Sequence, residues 1–290
     1  MKASVVTPNY NGKEFLKTYF DSLNRNKEFV GEVILVDNGS TDESIEFIKD
    51  YSSNLDFPVI IIRNVENLGF AKAVNQGILK SNYDYIFSLN NDTEVEKGAV
   101  KSLMDLISSD DDIFSVASKM LKFDNKNLID DAGDEYNILA WTKKTGENQP
   151  AENYDEIYEI FSSCAGAAMY NKAILNKIGL FDENFFAYME DVDLSYRAKI
   201  NGYKNLFCPD SVVYHIGSAT SGSRYNKFKV KLAARNNVWM VYKNFPVPQK
   251  ILNFIFLFLV FLIKYLFFVK KGFGKTYLEG LKEGLKTRNK

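Results

Sequence analysis

Tyr85-Ile-Phe-Ser-Leu-Asn-Asn-Asp-Thr93 is an apolar run that stops abruptly in a polar cluster. The run from Tyr85 to Leu89 is too short for a helix and is closed by turn formers, so it reads as a short buried strand. Ligands of a parallel sheet are held at the carboxyl ends of its strands. That rule puts the carboxylate of Asp92 and the amides of Asn90 and Asn91 at a crevice. The same residue types also build turns, and Thr93-Glu-Val-Glu96 fits a helix capping box. The surroundings decide between the two readings.

Outward from this stretch, short apolar runs alternate with amphipathic ones. Ala3 to Thr7, Glu32 to Asp37, Pro58 to Arg63 and a segment near Phe114 to Ala117 read as further strands. Helices are expected at Glu14 to Leu23, Thr41 to Tyr51, Gly69 to Leu79 and Lys97 to Ile107, with Ser40 and Glu43 as a capping box for the second. Such alternation implies an α/β fold, a mostly parallel Rossmann-like sheet with helices on both faces and right-handed crossovers. Four strand-end loops, Pro8 to Gly12, Asp37 to Ser40, Asn64 to Gly69 and Asn90 to Thr93, then gather along one edge, and their Asn, Gly and Asp content suits a nucleotide. Periodicity weakens from Lys122 to Ile160, which reads as an insertion over the site. Beyond it come the small-residue stretch Ala165-Gly-Ala-Ala-Met169, a helix near Lys172 to Ile178, another from Glu190 to about Asn201, and two short strands, Asn205 to Pro209 and Ser211 to Ile216.

Bulk properties narrow the class. With 290 residues, 46% hydrophobic and 25% charged, the chain is globular. A net charge of -1 offers no global basic field for nucleic acid. Cys164 and Cys208 have neither metal-ligand spacing nor a disulfide framework, which suits a reducing compartment. The single histidine, His215, excludes a zinc site built on several histidines. Ala3 to Val6 is too short for a signal-peptide core, so a cytoplasmic location is expected.

Ser4-Val-Val-Thr-Pro-Asn-Tyr-Asn11, Val36-Asp-Asn-Gly-Ser-Thr-Asp42, Asn67-Leu-Gly-Phe-Ala71, the Asn90-Asn-Asp92 cluster and Glu190-Asp-Val-Asp-Leu-Ser-Tyr-Arg197 occur in one order and spacing. Together, over about Ala3 to Pro246, they resemble the inverting GT-A nucleotide-sugar glycosyltransferases that include bacterial rhamnosyltransferases and other polysaccharide-building enzymes. The resemblance implies that Thr7, Asn9 and Tyr10 pack on the nucleobase and ribose, and that Asp37 accepts a hydrogen bond from a uracil or thymine imide. Asn67 and Gly69 precede a helix whose N–H groups would face a diphosphate. Lys72 reads equally as a phosphate contact or a solvated surface lysine. Asn90-Asn91-Asp92 stands where the family has its D-x-D metal motif, with amides at two positions, so Asp92 is the one carboxylate ligand. His215 matches the histidine that closes the metal site in many members, with Mn²⁺ or Mg²⁺ as the expected ion. Asp191 takes the place of the general base, with Glu190 beside it to orient it or meet the acceptor. Asp193 and Arg197 are spaced for a structural ion pair.

The resemblance implies a donor that is a UDP- or dTDP-sugar and an acceptor that is a glycan or lipid-linked saccharide, in cell-surface polysaccharide synthesis. Two rivals stand beside it. A sugar nucleotidyltransferase would carry a basic, Gly-rich loop after its first strand, and Pro8-Asn-Tyr-Asn-Gly12 has no basic residue. A non-catalytic carbohydrate- or nucleotide-binding protein would bind donor without cleaving it. Trp141 and Trp239 suit sugar stacking or burial, and the basic run Arg224, Lys227, Lys229, Lys231, Arg235 suits a diphosphate, a phospholipid surface or plain solvation.

Residues 1–246 thus read as one catalytic domain, with a nucleotide-binding half at about 1–120 and an acceptor half at about 121–246, and residues 247–290 as a hydrophobic and basic helical tail. Within it, Ile251 to Val269 is broken only by Asn253, Lys264 and the edge of Tyr265. Lys250, Lys264 and Lys271 fall near one helical stripe, which favours a helix lying at the inner face of the cell membrane over one that spans it. A contact on the domain or in a homo-oligomer is the remaining alternative.

Overall fold

The computed structural model describes residues 1–216 and 225–287; Arg224 of the basic run lies outside them. The chain begins β1 (Ala3–Asn9), α1 (Lys13–Asn24), β2 (Val30–Asp37), α2 (Ser44–Tyr51), β3 (Val59–Arg63), α3 (Phe70–Lys80) and β4 (Tyr85–Leu89). It continues with β5 (Thr93–Val95), α4 (Ala99–Ile107), β6 (Ile113–Lys122), β7 (Ile129–Asp131), β8 (Asp134–Tyr136), β9 (Thr142–Lys144), β10 (Tyr158–Glu159) and β11 (Ala167–Asn171). Then come α5 (Lys172–Ile178), α6 (Glu190–Ile200), β12 (Lys204–His215), α7 (Lys227–Asn244), α8 (Val247–Leu252), α9 (Phe254–Lys270) and α10 (Gly274–Thr287).

Every position of β2 is buried, as in a strand covered on both faces. Alternate residues of the strands feed two cores. Val5, Val33, Leu35, Phe87 and Met169 pack with α1, α2 and α4, while Val6, Ile34, Val36, Ile86 and Ala168 pack with α3, α5 and α6. Helices therefore cover both faces, as the periodicity requires. The main sheet runs β10-β12-β6-β11-β4-β1-β2-β3, with β5 on β12 and β7 on β6. β3, β2, β1 and β4 form a continuous parallel block, and β6 and β12 are a separate parallel pair.

The expectation of a mostly parallel sheet is corrected to a mixed one. Alternation of strand and helix enforces parallel pairing, and it ends at β6. β11 returns after the irregular segment that follows and enters antiparallel to both β4 and β6. Three local expectations change for similar reasons. Thr93 to Val95 caps no helix; it is a strand paired with the far end of β12. Ser40 does not cap α2, which starts at Ser44 after a left-handed Glu43; its hydroxyl instead accepts hydrogen bonds from Asn9 and Asn11. The two strands expected after Asn205 are one, β12, with its register shifted between Cys208 and Val212.

The C-terminal helices close on the domain through small residues. At Gly280 and Gly284 a side chain would meet the carbonyls of Lys231 and Arg235 in α7 at 2.4 and 2.9 Å. Trp239 is buried and donates to the Gly284 carbonyl at 3.2 Å, so it is a core residue, not a sugar platform. No helix among the described residues is long and apolar enough to cross a membrane. Lys264 of α9 and Asn253 at its start turn inward, whereas Lys271 of the expected stripe is exposed. Lys264 donates to the Ala140 carbonyl at 2.7 Å and Asn253 to that of Ile138 at 3.4 Å, and burial lowers the Lys264 ammonium to about 8.

α6 is fixed from below by the ion pair expected of Asp193 and Arg197. Nε of Arg197 donates to Asp193 at 3.0 Å, and its other nitrogens reach the carbonyls of Ile178, Gly179 and Leu180. The Asp193 side chain is only 3% exposed. Replacing Arg197 with Ala leaves a buried carboxylate without its cation and should cost about 3 kcal/mol of unfolding free energy, read by urea denaturation. A loss within error would mean that the pair does not hold α6.

Candidate active site

The sheet order reverses at β1, with β2 and β3 on one side and β4 on the other. This is the switch point at which open α/β sheets bind ligands. Asn9, almost fully buried at the end of β1, knits the adjoining loops together. Its amide nitrogen donates to Asp37 Oδ1 at 2.9 Å and Ser40 Oγ at 3.1 Å, and its carbonyl oxygen accepts from Asn91 Nδ2 at 2.6 Å. Gly12 makes the approach possible, since a Cβ there would lie 2.0 Å from the Asn91 amide. Above these loops opens a cavity of about 1080 Å³, at the upper end of ligand-site volumes.

On one side of the cavity stand Asp92 and His215. They are far apart in sequence and meet because β5 pairs with the end of β12, opposing Thr93 to His215. His215 Nε2 is 3.5 Å from Asp92 Oδ1, while Nδ1 is 2.8 Å from Asp130 Oδ2. Burial works to lower the imidazole pKa, but its bonds to Asp130 and Asp92 win and raise it to about 9. A ring held by a carboxylate at one nitrogen with the other aimed at a second carboxylate is the arrangement of a metal-ligating histidine and its orienting partner. No group of three or more His, Cys, Asp or Glu side chains among the described residues is placed to hold a metal. Asp92 and His215 could hold a hard divalent cation only if phosphate and water completed its ligands. Asp130 sits in the weakly patterned insertion, and no motif marked it.

Four more acidic residues, Asp131, Asp134, Glu190 and Asp191, line the same cavity. Asp191 Oδ2 accepts from the Ala165 N–H at 3.2 Å and Oδ1 from Val192 N–H at 2.9 Å. Burial raises its pKa, the two N–H bonds oppose this, and Asp131 adds to it. Glu190 is raised well above the glutamate range by burial and then by the Asp191 charge, and its Oε2 has no partner among the described residues. Asp134 is likewise raised, by burial first and by Asp131 and Asp191 next. Lys144 answers these charges from β9, 3.5 Å from Asp131 and 3.7 Å from Asp130. Buried carboxyls with raised pKa values in a cleft are poised for proton transfer.

The loop before α6 is strained, with Phe186, Tyr188 and Met189 all at positive φ, each costing about 1–3 kcal/mol. Asn236 of α7 holds it. This fully buried amide donates to the carbonyls of Phe185, Ala187 and Tyr188 at 3.1, 2.9 and 2.7 Å. Arg235 adds bonds to the Asn184 and Phe185 carbonyls and pairs with Glu283 at 3.2 Å. Arg235 is thus a structural cation, and Lys231 also pairs with Glu283, at 2.8 Å. Lys227 and Lys229 line the cavity. Neither Asn236 nor its role is signalled by spacing or composition.

Of the residues singled out in the sequence, Asn9, Tyr10, Asn67, Gly69, Asn90, Asn91, Asp92, Glu190, Asp191 and His215 share the cavity wall. Thr7, Asp37 and Lys72 are not on it. The Thr7 hydroxyl is buried against that of Tyr19. Both oxygens of Asp37 are engaged beneath the floor, by Asn9 and by the Ser40 N–H. Lys72 faces Glu183 at 3.9 Å. The N-terminus of α3 is also closed, because the Phe186 carbonyl accepts from the N–H groups of Phe70 at 2.6 Å and Ala71 at 3.3 Å. Gly69 permits this contact: it has φ +89°, and a Cβ there would lie 2.6 Å from that carbonyl oxygen.

The family model described as "Glycosyl transferase family 2" matches residues 4–179. The chain belongs to glycosyl transferase family 2. Among curated relatives, poly-beta-1,6-N-acetyl-D-glucosamine synthase of Staphylococcus aureus (strain COL) is 24% identical over 219 residues, 75% of this chain and 50% of the relative. Abequosyltransferase RfbV of Salmonella typhimurium is 32% identical over 116 residues, 39% of this chain and 35% of the relative. The chain thus spans half or less of these relatives' length. The crystal structure of GalNAc-T7 with UDP, GalNAc and Mn²⁺ is similar in fold, with a TM-score of 0.69 at 21% identity over 83% of this chain and 47% of that one.

The buried carboxyls of this family 2 domain give stability a pH signature. A glutamate whose pKa is raised in the folded chain holds its proton more tightly there than when unfolded. Stability is then lost as pH rises from the ordinary value of 4.5 through the folded value. Glu190→Gln, which removes that ionisation but keeps the shape, should gain on the wild type in urea midpoint as pH rises from acid to neutral. A difference that stays constant with pH would contradict the burial of an ionisable Glu190 beside Asp191.

Proposed function

We propose that this chain transfers a sugar with inversion from a UDP- or dTDP-sugar to a glycan or lipid-linked saccharide during cell-surface polysaccharide synthesis. It would do so as a peripheral protein at the inner face of the cell membrane. Residues 1–246 form the catalytic unit in this reading, with a donor half at about 1–120 and an acceptor half at about 121–246, and residues 247–290 serve attachment. One observation carries the reading: the Asp92–His215 pair and the half-buried Asp191 line the same cavity at the sheet's switch point. The names of the relatives, a glucosamine-polymer synthase and an abequosyltransferase, support the polysaccharide role.

In the reaction, an acceptor hydroxyl oxygen bonds to the anomeric carbon while that carbon's bond to the diphosphate oxygen breaks, and the electron pair departs with the nucleoside diphosphate. Asp191 takes the hydroxyl proton. Burial raises its pKa above the ordinary aspartate value, which makes it a stronger base than a solvated aspartate. Glu190 beside it orients the base or meets the acceptor. Asp92 and His215 would hold Mn²⁺ or Mg²⁺, with Asp130 fixing the imidazole; the Mn²⁺ and UDP in the structure similar in fold agree with this choice. When bound, the ion supplies Lewis-acid stabilisation of the leaving diphosphate. Asn9, Tyr10, Asn67, Gly69, Asn90 and Asn91 take the donor at the cavity wall. Asp37 and Thr7 support that wall from below, and Lys72 lends positive charge from its rim.

The test is nucleotide release from a panel of UDP-, dTDP- and GDP-sugars, with Mn²⁺, Mg²⁺ or EDTA and membrane extract as acceptor. Release from one pyrimidine donor, abolished by EDTA, is the expected result. Asp191→Asn should then lower turnover by about 10²- to 10⁴-fold while donor affinity holds. Unchanged turnover would remove Asp191 as the base. A donor that binds but is never cleaved would favour a non-catalytic binding protein.

A further inference from the structure

α9 departs from the usual pattern of a surface helix, which turns its apolar stripe inward and its polar groups to water. Its inner stripe contains Lys264, with Asn253 at its leading edge, both hydrogen-bonded to the 137–141 turn. Of its residues only Leu257 and Val260 are buried. The outward face is apolar along its length: Ile255 is 68%, Leu259 44%, Leu262 39% and Leu266 57% exposed. Soluble monomers rarely leave so continuous an apolar surface open. The exposed lysines Lys270, Lys271 and Lys275 stand at its C-terminal end.

Charge identifies what covers this face. Residues 247–290 hold nine of the 36 Lys and Arg but only two of the 37 Asp and Glu, a net of +7. The other 246 residues carry -8 of the chain's total of -1. A second copy seated face to face would bring two such positive segments together, since a two-fold contact repeats the same patch on both partners. An anionic bilayer offers both an apolar interior and opposite charge.

We propose that the outward face of α9 beds in an anionic lipid bilayer and thereby sets the mouth of the cavity beside the membrane. This rests on the peripheral-enzyme reading above and deepens it. At 17 residues and about 1.5 Å per residue, α9 lies along the interface without crossing it. Its inner groups clasp the turn between β8 and β9, the hairpin that lends Asp134, Thr142 and Lys144 to the cavity wall. At that turn Ile138 is 58% and Trp141 43% exposed, and Lys264 Nζ lies 4.9 Å from the Trp141 ring centroid. The acceptor wall therefore borders the bilayer, and a saccharide whose lipid end stays embedded meets the cavity from that side.

Vesicle flotation tests this with phosphatidylglycerol–phosphatidylcholine vesicles and with phosphatidylcholine alone, for the full chain and for Ile255→Glu/Leu266→Glu. The wild type should float with the anionic vesicles, and the double variant should bind at least about ten-fold more weakly with unchanged nucleotide release from free donor. Trp141 and the buried Trp239 are the only tryptophans, so quenching by brominated lipid, lost in Trp141→Phe, reports the hairpin at the bilayer. If the double variant floats like the wild type, this surface is overturned while peripheral attachment stands. If the wild type floats with neither vesicle, both fail, and a dimer dissolved by the double variant would show that a second copy covers the face. Nucleotide release judges the catalytic reading separately in every case.

Discussion

The site depends on one buried amide. Asn9 donates to Asp37 and Ser40 and accepts from Asn91, so the carboxyl ends of β1, β2 and β4 are fixed to one another by a single side chain. An unsatisfied buried polar group costs about 1–3 kcal/mol, and here each partner depends on the others for satisfaction. Asp37 is the clearest consequence. Its carboxylate spends both oxygens on holding the crevice together, and Asp92 follows Asn91 at a position that the same node determines.

A second constraint acts at the loop before α6, which also lines the cavity. Three residues before α6 adopt left-handed backbone, a conformation that persists only when its surroundings over-determine it. Asn236 and Arg235 supply that support from α7, and α7 is in turn packed by α10 through Gly280 and Gly284. The C-terminal helices are therefore more than an appendage. They brace the loop that presents Glu190 and Asp191, and through Lys264 they hold the hairpin that forms part of the cavity wall.

The strands and helices of the first half were legible because each signal is local: a continuous apolar run for β2, a closed short run for β4, amphipathic spacing for α1 and α3. What pairing decides was not. Thr93 carries a good capping signature, yet β12 recruits it as a strand and so delivers His215 to Asp92. β11 entered antiparallel because nothing in its own residues specifies direction. Most motif residues at strand ends and at the start of α6 line one cavity, while Thr7, Asp37 and Lys72 lie off its wall. Asp130, Lys144 and Asn236 escaped notice because their roles arise only from contacts distant in sequence. For α9, composition revealed an apolar helix with a polar stripe, but only packing could reveal that Lys264 and Asn253 of that stripe face the protein.

Asp191 shares its cavity with the Asp92–His215 pair, and the proposed reaction is a direct displacement with Asp191 as its one base. The most direct measurement is the anomeric configuration of the product, read by proton NMR from a donor of known configuration. Single displacement predicts a linkage inverted relative to the donor. A linkage that retains the donor's configuration would require another course of reaction and would contradict the role assigned to Asp191.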